Sequence, residues 1–210
     1  MKFASREDAG QRLGTLLRDR GVEADLVLGL PRGGVLVGAE VARLLGLPLE
    51  VLLVRKIGHP MHREFAVGAL AEQGVILLHE EMAGAGPAAR RLLQKIIEEE
   101  TCRLREYEST FHKGGAPLLR DRHVLLVDDG LATGSTMEAA VMSGRRQQAR
   151  RVTVAVPVSS VEAARRMSQL ADAMIALEID PDFGAVGCYY ETFSQVSDEE
   201  VLESLRRSRA

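Results

Sequence analysis

Short apolar runs alternate along this chain with longer stretches in which apolar positions recur every three or four residues. The first pattern predicts buried strands and the second amphipathic helices. Ser5, with Asp8 three residues on, caps a first predicted helix over about 6–20, and Gly21 stops it. A short buried strand follows over 25–29, then a loop at 31–34, a helix over 35–45 ending at Gly46, and a β-rich run over 49–54. Residues 56–64 are polar, carry Gly58-His59-Pro60 and read as a loop. Two short strands are expected at 65–70 and 75–78, around Glu72-Gln73-Gly74. A long charged helix covers 87–107, with Arg91, Lys95 and Glu98–Glu100 set for ion pairs along one helix, and a second loop covers 111–121.

The second half is more regular. Residues 122–127 form a strongly apolar strand, 128–133 a turn and 134–146 a helix. A strand over 151–158, a helix over 161–170, a core strand over 174–177 and a capped helix over about 197–207 complete the order. Strand–helix alternation of this kind makes parallel sheets, so the expected fold is an α/β, doubly wound, mainly parallel sheet. Ligands of such folds bind beyond the carboxyl ends of the strands.

Composition narrows the class. The chain has 210 residues, 46% hydrophobic and 27% charged, which suits one well-packed domain. A net charge of -3 argues against a general electrostatic grip on nucleic acid, and 4% aromatics without Trp against base-stacking platforms. Cys102 and Cys188 stand far apart in no metal-ligand spacing and are expected to be reduced thiols. No apolar stretch approaches the roughly 20 residues of a membrane span, and residues 1–13 lack the apolar core of a signal peptide. A cytoplasmic location follows as an expectation, with neither membrane nor nucleic acid as partner.

Chemistry concentrates in residues 124–136, VLLVDDGLATGST. A buried strand ends on two carboxylates, and small residues then lead into a helix. Gly134 can adopt dihedrals closed to other residues. Unpaired N–H groups at a helix start form an anion site. Thr133, Ser135 and Thr136 add hydroxyl donors, while Asp128 and Asp129 can accept hydrogen bonds from a vicinal diol. The set suits a sugar phosphate, and it is no P-loop, because no Lys follows the second glycine. Two further places are the loop Gly29-Leu30-Pro31-Arg32-Gly33-Gly34 and the basic Arg55-Lys56 after Val54. Strand alternation sends Arg55 and Lys56 to opposite faces.

Residues 124–136 resemble the signature of type I phosphoribosyltransferases, and stretches such as RKIGHPMHREFAVGAL and FGAVGCYYETFSQVSDEEV are similar to a bacterial branch of that family. The resemblance implies a single domain over 1–210, with a helical insertion at about 57–121 and a variable C-terminal hood at about 180–210. It implies that Asp128 and Asp129 contact the ribose hydroxyls of 5-phospho-α-D-ribosyl 1-diphosphate (PRPP), directly or through metal and water. By the same likeness Ala132, Thr133, Gly134, Ser135 and Thr136 hold the 5′-phosphate. Arg32, Gly33, Gly34 and Lys56 meet the pyrophosphate, with a non-proline cis peptide expected near Arg32–Gly33. Phe183, Tyr189 and Tyr190 are the hood candidates for stacking on a planar base. Ala132 stands where 6-oxopurine enzymes usually carry Asp, which disfavours hypoxanthine and guanine as acceptors.

The activity so implied is Mg²⁺-dependent transfer of a phosphoribosyl group between PRPP and a nitrogenous base, with pyrophosphate leaving. A loop should close over so charged a leaving group, the candidates being 56–64 (with His59, His62 and Arg63) and 111–115 (with His112 and Lys113). Two other readings use the same scaffold: a regulatory protein that senses PRPP or a nucleotide, and a hydrolase or phosphorylase of a related nucleotide. The sequence leaves open both the acceptor and a homodimeric assembly.

Overall fold

A computed structural model describes residues 2–62, 66–79 and 86–209. Its centre is a five-stranded sheet, parallel throughout. Strand β6 (His123–Val127) is buried along its whole length, between β1 (Leu26–Gly29) and β7 (Arg151–Ser160). Strand β2 (Leu49–Val51) forms one edge and β8 (Ala173–Asp180) the other, giving the order β2-β1-β6-β7-β8. The two-residue alternation of a strand divides β6 between two cores. Leu125 and Val127 pack with Leu13 and Leu17 of α1 (Arg6–Asp19), Val35 and Val41 of α2 (Gly33–Leu45) and Val201 of α6 (Asp198–Arg209). Val124 and Leu126 pack with Met137 and Ala140 of α4 (Ser135–Arg146) and with Ala163 and Met167 of α5 (Val161–Leu170). Apolar residues cover both faces of the strand, as expected for a central parallel strand.

The apolar run at 49–54 divides between two sheets. Leu49–Val51 stays with the parallel sheet, while Val54 opens β3 (Val54–Gly58) in a separate antiparallel sheet of order β3-β4-β5. The change occurs at Leu53, whose N–H donates to the Glu72 carboxylate at 2.8 Å and whose carbonyl accepts from the Glu72 N–H. Those bonds take Leu53 off the parallel ladder. Strands β4 (Ala66–Ala71) and β5 (Val75–Leu78) flank a single turn of 3₁₀ helix at Glu72–Gly74. Residues 56–58 are therefore strand, not loop, while Arg63, Glu64 and Phe65 lie outside the described residues. The long helix α3 (Pro87–Phe111) runs four residues beyond 107, because Phe111 is buried at its end. Strand β8 is likewise longer than 174–177, since its pairing with β7 continues to Asp180.

Candidate functional site

The sheet order creates the site. From β1 the chain crosses through α2 to β2 on one side, and from β6 it crosses through α4 to β7 on the other. The loops leaving β1 and β6 therefore part, and a crevice opens between them at the carboxyl ends of the strands. A cavity of about 1010 Å³ occupies this place, lined by Pro31–Gly33, Val54–Lys56 and every residue from Asp128 to Met137. The turn after β6 thus faces open space. Typical ligand cavities measure roughly 300–1,000 Å³, so this one stands at the upper end of that range.

Backbone bonds pin the turn from outside. Leu131 bridges to Ser159 near the end of β7: its N–H donates to the Val158 carbonyl, and its own carbonyl accepts from the Ser160 N–H. Ser160 Oγ donates to the Ala132 carbonyl at 2.7 Å. Gly134 precedes α4 in the left-handed region, φ 78°, and no side chain caps the helix. The first N–H groups of α4 thus meet the cavity beside the Thr133 and Ser135 hydroxyls, themselves 3.4 Å apart.

The loop after β1 lies against the acid pair. A Cβ on Gly33 would overlap Asp129 Oδ2, and one on Gly34 would come within 2.7 Å of the Val127 carbonyl oxygen and 2.9 Å of Asp128 Oδ1. Only glycine lets the two loops meet this closely. The loop contains a non-proline cis peptide at Pro31–Arg32, one bond earlier than expected. Of the basic pair on β3, Arg55 binds Glu100 at 2.7 Å and lies over the Tyr107 ring, whereas Lys56 is exposed at the cavity wall. Alternation separates the two side chains, but both border the cavity, together with Glu99, Glu100 and Arg103 of α3.

Asp128 and Asp129 share one electrostatic problem. Burial pushes the Asp128 carboxyl well above the usual carboxylate range, and the charge of Asp129 pushes the same way. Burial also raises Asp129, but a hydrogen bond from Arg6 and its charge oppose the rise. Lys56 favours the charged form of both acids. Arg6 was not among the expected site residues. It stands in the first turn of α1, 123 positions from its partner, and nothing in the local sequence points to it.

The expected aromatics lie elsewhere. Tyr189 and Tyr190 are buried with Phe3 in a small core, where Phe183 stacks on Tyr189, and none of the three residues expected to stack on a base lines the cavity. Tyr190 instead donates its hydroxyl to the Asp129 carbonyl at 2.6 Å, which fixes the turn from behind. From the segment 180–210, Val186 and Phe193 do line the cavity. Pattern alone could not separate Phe193 from its neighbours, because all four aromatics fall within eleven residues. The 111–115 segment also lies away from the cavity lining, and His112 is held by Glu72 at 2.8 Å.

Residues 7–192 match the phosphoribosyl transferase domain family. The chain belongs to this family. A Mycobacterium tuberculosis protein, named provisionally as a phosphoribosyl transferase, is 37% identical over 207 residues, which cover 98% of this chain and 47% of that one. The chain therefore spans about half the length of the curated relatives it matches. The crystal structure of TT1426 from Thermus thermophilus is 42% identical, with a TM-score of 0.82 over 99% of both chains. A Neisseria gonorrhoeae protein solved with bound ppGpp shares the fold at 14% identity and TM-score 0.53, over 100% of this chain and 99% of that one. As in other doubly wound α/β folds, this phosphoribosyl transferase domain sets its cavity at the strand-order reversal. No helix among the described residues is long and apolar enough to cross a membrane.

Proposed function

We propose that this domain binds PRPP across the β1–β6 crevice and transfers its phosphoribosyl group to a nitrogenous base. The observation that carries the reading is the uncapped α4 N-terminus next to two cavity-facing carboxylates and across from Gly33–Gly34. In this reading the α4 N–H groups and the side chains of Thr133, Ser135 and Thr136 hold the 5′-phosphate, with the Ala132 and Gly134 backbone shaping the cradle. Asp128 and Asp129 accept from the ribose hydroxyls. The Arg32–Gly34 loop and Lys56 meet the pyrophosphate, and the region around 180–210 acts as the hood.

The acid pair also suits a divalent cation. Two carboxylates converge beside the cavity, and a cation between them would favour the charged form of Asp128, which burial and the neighbouring Asp129 charge disfavour. Oxygen ligands of this kind fit Mg²⁺. When bound, that ion would neutralise charge on the departing pyrophosphate. The protein's own part is positioning and electrostatic stabilisation. Glycines bring main-chain donors close, and Lys56 supplies a positive charge at the cavity wall. Leu131, Val186 and Phe193 are among the apolar residues of the lining, where a planar acceptor would exclude water.

The test is release of pyrophosphate from PRPP with a panel of purine and pyrimidine bases and Mg²⁺. Release with at least one base, abolished by a chelator, is the expected outcome. Tight PRPP binding without release for any base would move the domain to the sensing role. No PRPP binding would overturn the reading.

A further inference from the structure

Arg6 joins three parts of the chain that are distant in sequence. Its side chain is only 9% exposed, and its Nε donates to Asp129 Oδ2 at 2.8 Å. Its Nη1 donates to the Ser194 carbonyl at 2.8 Å, and its guanidinium lies 3.9 Å from the centroid of the Phe193 ring. The Arg32–Gly33 loop sits on the same group, because a Cβ on Gly33 would come within 2.7 Å of Arg6 Nε. One guanidinium thus touches the acid turn, the loop after β1 and the C-terminal segment that lines the cavity.

We propose that Arg6 is a positioning residue for the phosphoribosyl site: it aims Asp129 at the ribose and keeps the Gly33 loop and Phe193 in register with it. This rests on the phosphoribosyl reading of the cavity. A buried ion pair is a costly way to gain stability alone, because both charges lose water and an apolar pair of similar volume often serves as well. Here the pair lies behind the cavity wall rather than in either core. It engages Oδ2 of Asp129, a residue that itself lines the cavity. The guanidinium is needed for its shape. Its planar fork serves two acceptors in different directions while its face stacks on a ring, which the single charged point of a lysine cannot do.

The assignment gives the two acids different duties. Asp129 is oriented by a fixed cation. Asp128, among the described residues, accepts the Asp129 N–H at 2.9 Å and no side-chain donor. Arg6 does not itself line the main cavity, so its effect on a ligand has to pass through Asp129 and the walls it holds.

The experiment is calorimetric titration of PRPP with Mg²⁺ into the full chain and into the variants Arg6→Gln, Arg6→Lys, Asp129→Asn and Arg6→Gln with Asp129→Asn. Loss of a charge-assisted hydrogen bond predicts that Arg6→Gln weakens PRPP roughly 10-fold or more. Arg6→Lys should recover only part of the loss. The double variant should bind no more than about twofold more weakly than Asp129→Asn, since coupled residues do not add. A merely structural Arg6 would lower the melting temperature and give additive losses in affinity. If Arg6→Gln does not fold, Arg6→Lys alone decides: a folded lysine variant with wild-type affinity overturns the proposal. Wild-type affinity in Arg6→Gln, or fully additive losses, overturns it while leaving the phosphoribosyl reading intact. Failure of the wild-type chain to bind PRPP overturns that reading and this inference with it.

Discussion

The two ends of the parallel sheet are built from the same residue types and behave differently. At the amino end, a cavity of about 580 Å³ is bordered by Asp25, His123, Arg150, Arg151 and Asp172. Both aspartates are occupied. Asp25 accepts from the His123 N–H at 2.7 Å and from Arg150 at 3.3 Å. Asp172 accepts from the Val152 N–H at 2.7 Å and from Arg145 at 2.9 Å. The His123 ring is bonded to Thr153, and burial first, then the nearby Arg151 charge, holds its pKa below the ordinary value. At the carboxyl end, the helix start is uncapped, Lys56 is exposed and Asp128 is held far from its ordinary ionisation. Charge at one end closes off strand termini. Charge at the other borders an open cavity, the setting in which perturbed groups mark candidate sites.

The sharpest way to break this comparison is to remove charge at both ends by the same substitution. Asp128→Asn with Asp129→Asn should weaken PRPP by on the order of 100-fold or more, as two charge-assisted contacts are lost. Asp25→Asn should leave PRPP affinity unchanged and lower stability by about 1 kcal/mol. Calorimetry and thermal melting measure both effects. Equal affinity losses at the two ends would erase the distinction. A smaller effect tests the wall. Lys56→Ala should weaken pyrophosphate roughly 10-fold and ribose 5-phosphate by less than twofold. Equal losses for the two ligands would give Lys56 a structural role.

The smallest expected effect concerns the second sheet, which carries the Lys56 wall. His112 and Glu72 form a pair whose side chains are 5% and 2% exposed. Burial lowers the His112 pKa, but the hydrogen bond and charge of Glu72 outweigh it, so the net shift is upward. A histidine with a raised folded pKa stabilises the native state fully below its unfolded value of about 6.5. That contribution is lost as pH rises through the folded value. Melting temperature should therefore fall as pH rises above about 6.5, and His112→Gln should flatten that slope. An unchanged slope in the variant would detach the pair from the pH response.

Much of the fold was legible because its signals are local. The apolar run of β6, the caps of α1 and the strand–helix alternation each depend on neighbours in sequence. The acid pair and the small residues entering α4 were legible for the same reason: a strand end followed by a helix start defines its chemistry within thirteen residues. Legibility failed where distant chain segments decide. The run at 49–54 was divided by Glu72, nineteen residues past Leu53. The tail aromatics were indistinguishable by composition, and only packing sent Tyr189 and Tyr190 into a core with Phe3 and left Phe193 on the cavity wall.

The sequence by itself determined the alternating elements, the parallel sheet and the chemistry of the turn after β6, because hydrophobic period and backbone freedom act over a few residues. Tertiary structure alone decided that Arg6 would stand behind Asp129 and that Gly33 would have no room for a side chain. Those outcomes depend on which surfaces meet when the chain closes, and a charge 123 positions away leaves no trace in the local pattern.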